Sequence, residues 1–143
     1  MSEIQDLKTQ LSSKFDMKDL GAANYILGME IKRDSEKRRL WLNQRKYVET
    51  ILQRFNMQDS KPMRVPIHVG VKLYVEQCPK TQEEEEDMFD VPYASAVSSL
   101  MYAMVCTRPN ITHAVGVLSR FMSKRGKEHW TAMKRVFQVF VWH

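Results

Sequence analysis

Two stretches of regular periodicity flank a segment, residues 59–90, that no regular element can cross. Pro62, Pro66 and Pro79 interrupt it, and five consecutive acidic residues, EEEED at 83–87, follow. Proline removes an amide donor and fixes φ, so a helix or central strand cannot run through such a stretch. The chain therefore divides into 1–58, 59–90 and 91–143. Only short apolar pieces such as VKLYV survive in the middle part, which predicts a linker or a long surface excursion. Repulsion within residues 83–87 predicts an extended, solvated tether there rather than a cation site.

The first part predicts helix, hairpin, helix. Ser2 and Gln5 have capping-box spacing, and Ile4, Leu7, Leu11 and Phe15 share one face of a helix over residues 2–15. NYILGMEI, residues 24–31, and RLWLN, residues 39–43, are rich in β-favouring types and flank a polar turn around residues 34–37. Gly28 then lies within a strand, where close approach by another backbone, a bulge or tight packing would each account for it. Asn43 caps a second helix over residues 44–56, with Tyr47, Val48, Ile51, Leu52 and Phe55 on its inner stripe.

The last part predicts three helices. Ala94, Val97, Leu100, Met101, Met104 and Val105 mark the first face, and Ile111, Val115, Leu118 and Met122 the second, which opens at Pro109. The third begins beyond Gly126 and points Trp130, Met133, Val136, Phe137 and Phe140 inward. The expected class is α+β.

At 143 residues the chain holds one domain or part of one. Its net charge of +5 understates its basic character: without the acidic run, 22 basic residues face 12 acidic ones. Cys78 and Cys106 lack metal or disulfide spacing, which fits a reducing compartment. The polar N-terminus and the short apolar run near residues 100–106 predict a soluble, intracellular chain without a membrane span. No GxSxG, phosphate-binding loop or HExxH occurs, and His68, His113, His129 and His143 have no mutual metal spacing. His113, among apolar neighbours, reads as a packing residue. His129 and Trp130 lie amid Arg120, Lys124, Arg125, Lys127, Lys134 and Arg135, with Phe121 interleaved. Such a surface would track an RNA or DNA backbone and stack on a base; the plainer reading puts the aromatics in the core and the cations in solvent. A second basic cluster, Lys32, Arg33, Lys37, Arg38, Arg39, Arg45 and Lys46, brackets the hairpin.

LKTQLSSKFDMKDLG, YILGMEI, RKYVETILQRFNM, SLMYAMVCTRPNITHAVGVLSRFM and GKEHW occur in order between residues 7 and 130. Together they resemble the copia-type long-terminal-repeat retrotransposon reverse transcriptase. The resemblance places this region just after the strand-turn-strand that bears the family's paired aspartates. It implies a palm remnant (helix, hairpin, helix), a linker, and a three-helix thumb-like unit that stops short of ribonuclease H. The catalytic pair would precede Met1, and Asp6, Asp16, Asp19, Asp34 and Asp59 match none of the family's metal ligands. The parent enzyme would use magnesium; this chain implies no cofactor and no polymerase activity of its own. Leu27, Gly28 and Met29 correspond to a primer-grip-like hairpin. Nucleic-acid contact falls to Arg120, Lys124, Arg125, Lys127 and Lys134, and the missing polymerase portion is a further expected partner. A nucleic-acid-binding module or a partner-binding helical protein is the alternative expectation. Asn110 stands where the family carries an acid, Ser98 where it carries Gly, Arg125 where it carries Pro and Arg135 where it carries Trp. These departures, with Met1 matching an internal methionine of the polyprotein, predict a decayed remnant.

Overall fold

A computed structural model of the chain describes residues 2–67 and 71–141, so His68 and His143 lie outside it, as does the Ser2 side chain with its capping-box contact. The chain mixes helix and strand. Helix α1 (Ser2–Lys14) leads to strands β1 (Tyr25–Ile26), β2 (Met29–Asp34) and β3 (Arg39–Asn43), then to α2 (Arg45–Arg54). After a 3-10 turn at Val75–Gln77 come α3 (Gln82–Phe89), α4 (Tyr93–Cys106), a second 3-10 turn at Pro109–Ile111, α5 (Thr112–Ser119) and α6 (Lys127–Val141).

The expected strand over residues 24–31 is broken in two. Ile26 pairs with Met29 across a two-residue loop, Leu27–Gly28, and both loop residues have positive φ, 51° and 76°. That is the backbone of a tight primed hairpin turn, whose twist matches the strands it joins. Gly28 thus serves the turn, where its conformation suits a residue without Cβ. A Cβ there would also touch the Tyr47 ring at 3.4 Å. The next hairpin pairs β2 with β3, from Glu30 opposite Asn43 to Asp34 opposite Arg39. Its turn is held by the Asp34 carboxylate, which accepts the Lys37 amide at 3.0 Å. The sheet is antiparallel in the order β1-β2-β3.

The N-cap of α2 is Gln44, without a side-chain cap bond, and not the expected Asn43, which stands one residue earlier and accepts the Arg45 amide at 3.1 Å through its side-chain oxygen. Val48, Ile51, Leu52 and Phe55 are buried, joined by Tyr93, Val97, Leu100, Ile111, Leu118, Met133, Phe137 and Phe140 in one hydrophobic core. Burying a side chain of this size contributes roughly 1.5–3 kcal/mol. The α4 face differs from the expected one. Tyr93, Ala96, Val97, Leu100 and Ala103 point inward, whereas Ala94 and Met101 are exposed and Val105 is 76% exposed. Nearly every α4 position is apolar or small, so periodicity does not select a face. The Tyr93 hydroxyl helps to, by donating to the Leu118 carbonyl at 2.8 Å inside the core. Beyond α5 the inward residue is Phe121 rather than Met122, because the helix ends at Ser119.

The acidic run is helical, contrary to the expected extended tether. Thr81 caps α3 by accepting the Glu84 amide at 3.3 Å, and the Glu84 carboxylate accepts the Lys80 amide at 2.8 Å. Backbone bonds from the Lys80 and Thr81 amides hold the Glu84 carboxyl below its ordinary range. Three glutamates in the first turn also face the positive end of the helix dipole, which outweighs their mutual repulsion. Threonine followed three residues later by glutamate is the sequence signal of such a cap.

The rest of the middle segment is fastened to α6 and its approach. The Met63 amide donates to the Gln138 carbonyl at 3.1 Å, and the buried Cys78 thiol donates to the Lys124 carbonyl at 3.1 Å. The 3-10 turn packs so closely that a Cβ on Gly126 would lie 2.0 Å from the Gln77 carbonyl oxygen. Gly126→Ala is therefore expected to destabilise the chain by about 2 kcal/mol, as overpacking against backbone does. Urea unfolding measures this, and an unchanged midpoint would show that Gln77 does not press on Gly126.

Candidate nucleic-acid interface

The turn before α6 was expected to offer both cations and aromatics to a strand. Its aromatics are not available. Phe121 is buried and stacks on His129, ring centroids 3.9 Å apart, while half-buried Trp130 lies 6.4 Å from both Phe55 and Tyr93 in the aromatic centre of the fold. The plainer expectation, core aromatics with solvent-facing cations, is the one observed.

His129 is fully buried. Its Nδ1 accepts the Gly126 amide at 2.8 Å, so the ring itself satisfies a donor at the start of α6. Burial pushes its pKa below the ordinary value. His113, expected to pack, is instead exposed on α5.

The five cations have different surroundings. Arg120, Lys124, Lys127 and Lys134 are exposed, whereas Arg125 is half-buried and donates to the Met122 carbonyl at 3.3 Å. Lys127 pairs with Asp87 of α3 at 2.7 Å. That pair raises the Lys127 pKa, and Glu84 and Glu83 add to it. The acidic helix and the basic turn therefore face each other, leaving Arg120, Lys124 and Lys134 as the exposed cations without a carboxylate partner among the described residues.

In the second basic cluster, Lys32, Arg33, Lys37, Arg38, Arg39, Arg45 and Lys46 are all exposed around the sheet. Lys46 lies over the Tyr25 ring at 5.4 Å, and Arg45 pairs with Glu49 at 3.3 Å. Leu27, Gly28 and Met29 form the tip of the first hairpin, where the Tyr102 hydroxyl donates to the Leu27 carbonyl. Helix α4 thus helps to hold that tip.

Among the described residues no three His, Cys, Asp or Glu side chains come together as a metal site. Several carboxylates already have structural partners: Asp19 holds Lys8 and the Gly21 amide, Asp34 the hairpin turn, and Asp87 Lys127. These residues do not fit a magnesium pair. No helix is long and apolar enough to cross a membrane.

A family model described as reverse transcriptase (RNA-dependent DNA polymerase) matches residues 1–69. A retrovirus-related Pol polyprotein from transposon TNT 1-94 of Nicotiana tabacum is 56% identical over 135 residues, which is 94% of this chain and 10% of that protein. The chain is similar to the reverse transcriptase region of copia-type retrotransposon Pol polyproteins. Pol polyproteins from transposons RE2 and RE1 of Arabidopsis thaliana are 35% and 37% identical, each over 90% of this chain and 8% of their own length. The chain thus spans a tenth or less of these curated relatives and corresponds to a fragment of a Pol polyprotein. No solved structure matches it.

Within this Pol-like segment, GKEHW is a folding device. Gly126 admits the Gln77 carbonyl, Lys127 ties down α3, and His129 and Trp130 pack inward. A neutral His129 has a direct consequence for stability. Its folded pKa is depressed, so below the ordinary value near 6.5 the unfolded chain binds the additional proton and stability falls with pH. The melting temperature is expected to drop between pH 7.5 and about 5.5, and to drop less in His129→Asn. Parallel decline of the two proteins would remove His129 as the cause.

Proposed function

We propose that this chain is a non-catalytic, supporting segment of a copia-type reverse transcriptase: a palm-derived helix, sheet and helix followed by a thumb-like helical unit. One observation supports it most. The part that matches the polymerase family model exposes an apolar surface: Ile4 and Leu7 on α1, Phe15 just past its end, and Ile26, Leu40 and Leu42 on one sheet face. Opposed strand positions share a face, so Ile26 with Met29, and Ile31 with Leu42, build a continuous apolar strip beside Leu40. Surfaces of this kind are complemented by packing against another part of the same fold. The remaining polymerase portion is the partner this reading assigns to them.

The aspartates of this chain are dispersed and partly engaged in local structure, so the segment supplies support and not metal chemistry. The purified chain is expected to extend no primer on an RNA template with magnesium present. It is expected to bind the upstream polymerase region of the tobacco relative, with Leu7→Asp and Leu40→Asp each weakening capture at least about tenfold by placing a charge in an apolar contact. Chelator-sensitive extension by the chain alone, free of contaminating polymerase, would overturn the reading.

A weaker activity rests on Arg120, Lys124 and Lys134. Cations of this kind contact phosphates without reading sequence, so binding to an RNA–DNA hybrid is expected to weaken steeply with salt. Each of Arg120→Gln, Lys124→Gln and Lys134→Gln should reduce the slope of log affinity against log salt by about one. Asp87→Asn, which releases Lys127, should steepen it by a similar amount. Filter-binding titrations across a salt series measure these slopes, and salt-independent binding would exclude the phosphate contacts.

A further inference from the structure

Strand β3 (Arg39–Asn43) is an outer strand of the sheet. Strand β2 pairs with it on one side, and among the described residues no strand and no loop amide or carbonyl lies against the other. Such an edge presents a row of backbone donors and acceptors to any chain that can pair with it, and natural sheets blunt it with proline, lysine or a bulge. Strand β3 has none of these. Its sequence is RLWLN, it pairs with β2 residue for residue without an insertion, and its three central side chains are apolar and open, Leu40 at 57%, Trp41 at 44% and Leu42 at 47% exposure. The other edge of the sheet is closed. Strand β1 is two residues long, the Ala23 carbonyl before it takes the Arg33 guanidinium, and the Leu27 carbonyl after it takes the Tyr102 hydroxyl.

The open strand is self-complementary about its centre. When two copies of RLWLN run antiparallel with Trp41 on a two-fold axis, Trp41 faces Trp41, Leu40 faces Leu42, and Arg39 faces Asn43 of the second copy. No other antiparallel register sets all three apolar residues against apolar residues. The rows across the joined sheets extend the pairing already present in each. On one face, Arg33 and Leu40 meet Leu42 and Ile31 of the second copy, so leucine packs on leucine. On the other face, Lys32 and Trp41 meet the same pair in reverse, which leaves the two lysines at the outer ends of the row. Asp34 and Arg39 meet Asn43 and Glu30, whose side chains are already hydrogen-bonded at 2.9 Å. Arg39 then lies between its own Asp34 and the Glu30 of the second copy, and no like charges are directly opposed.

We propose that β3 is a homodimer contact that joins two copies of this chain edge to edge, across a two-fold axis at Trp41, and merges their two three-stranded sheets into one. The contact uses the backbone edge of β3 and leaves both faces of the sheet open, so it does not depend on what covers the apolar face. Assembly stops at two copies because the β1 edge is closed. A strand of five residues buries less than a standard interface, so the dimer is weak.

Sedimentation velocity of the full chain from about 10 to about 1,000 µM is expected to show a monomer–dimer equilibrium and no larger species. In a sample mixing isotopically labelled and unlabelled chain, filtered spectra should show contacts between copies from the Trp41 indole and the Leu40 and Leu42 methyl groups. Trp41→Lys and Trp41→Glu each place like charges on the two-fold axis, and each alone should weaken self-association about tenfold or more. Mixing the two variants should restore association, since opposite charges then meet, and the restoration also reports that both are folded. A chain that stays monomeric throughout the range overturns the proposal without reference to any variant. Association that both single variants retain, mixing that restores nothing, or growth beyond two copies would do so too.

Discussion

Phe55 at the end of α2 stacks on Phe137 of α6, ring centroids 4.9 Å apart, and Trp130 closes against Phe55 and Tyr93. These four rings join the hairpin-bearing part of the chain to the helical part. Tyr93 carries the joint onward by donating to the Leu118 carbonyl of α5, and Tyr47 adds a second tie by donating to the Ser99 carbonyl of α4 at 3.1 Å. Aromatic pairs at such distances add about 0.5–1.5 kcal/mol each beyond their buried area. Loss of one ring therefore loosens several elements together. The Leu27–Gly28 turn depends on the same joint, because Tyr47 packs under Gly28 and its edge meets Tyr102, whose hydroxyl holds the Leu27 carbonyl.

Electrostatics acts at the N-terminal end of α6. A basic turn and an acidic helix, separated by more than thirty residues of mostly helical chain, meet through Asp87 and Lys127. The pair is exposed, so it adds little to global stability. Its effect is to orient α3 and to lower the positive potential of the turn, while buried Met88 and the Thr81 cap hold the helix in place. Net charge of the whole chain hides this arrangement, since attraction depends on where the carboxylates lie.

Elements with a single polar and a single apolar side were legible from sequence. The α6 face and the α2 stripe follow from spacing because their alternatives would bury charge, whereas the start of α2 lies one residue beyond the expected Asn43 cap. The α4 face did not, since a helix of Ala, Ser, Val, Met and Leu can turn several sides inward at similar cost; long-range contacts such as Tyr93 to Leu118 decide among them. The Leu27–Gly28 turn was hidden by β-favouring neighbours, though Gly28 itself was the available signal. Helix α3 was hidden by attention to charge repulsion, although the Thr81 to Glu84 spacing declared a cap. As for the site, exposure of Lys134 followed from helical spacing and that of Arg120 and Lys124 from their charge in the turn between α5 and α6, whereas burial of His129 required knowing that the Gly126 amide needed an acceptor.

The two strongest family motifs in this segment consequently have different physical content. In GKEHW the Gly126 amide donates to His129, Lys127 pairs with Asp87 and Trp130 packs inward, so the motif specifies how α6 begins and what packs against it, with His129 Nε2 left buried without a partner among the described residues. In TRPN, Thr107 is satisfied by Gln44 and Pro109 starts a 3-10 turn, while exposed Asn110 replaces the acid usual in the family. Arg108 is left partly buried, over an aromatic ring, with no anion. A folding role alone would be filled by a neutral side chain of similar length at lower desolvation cost. The contact that Arg108 does make is with the Phe140 ring of α6, 5.6 Å from its centroid, so the motif ties the end of α4 to the end of α6.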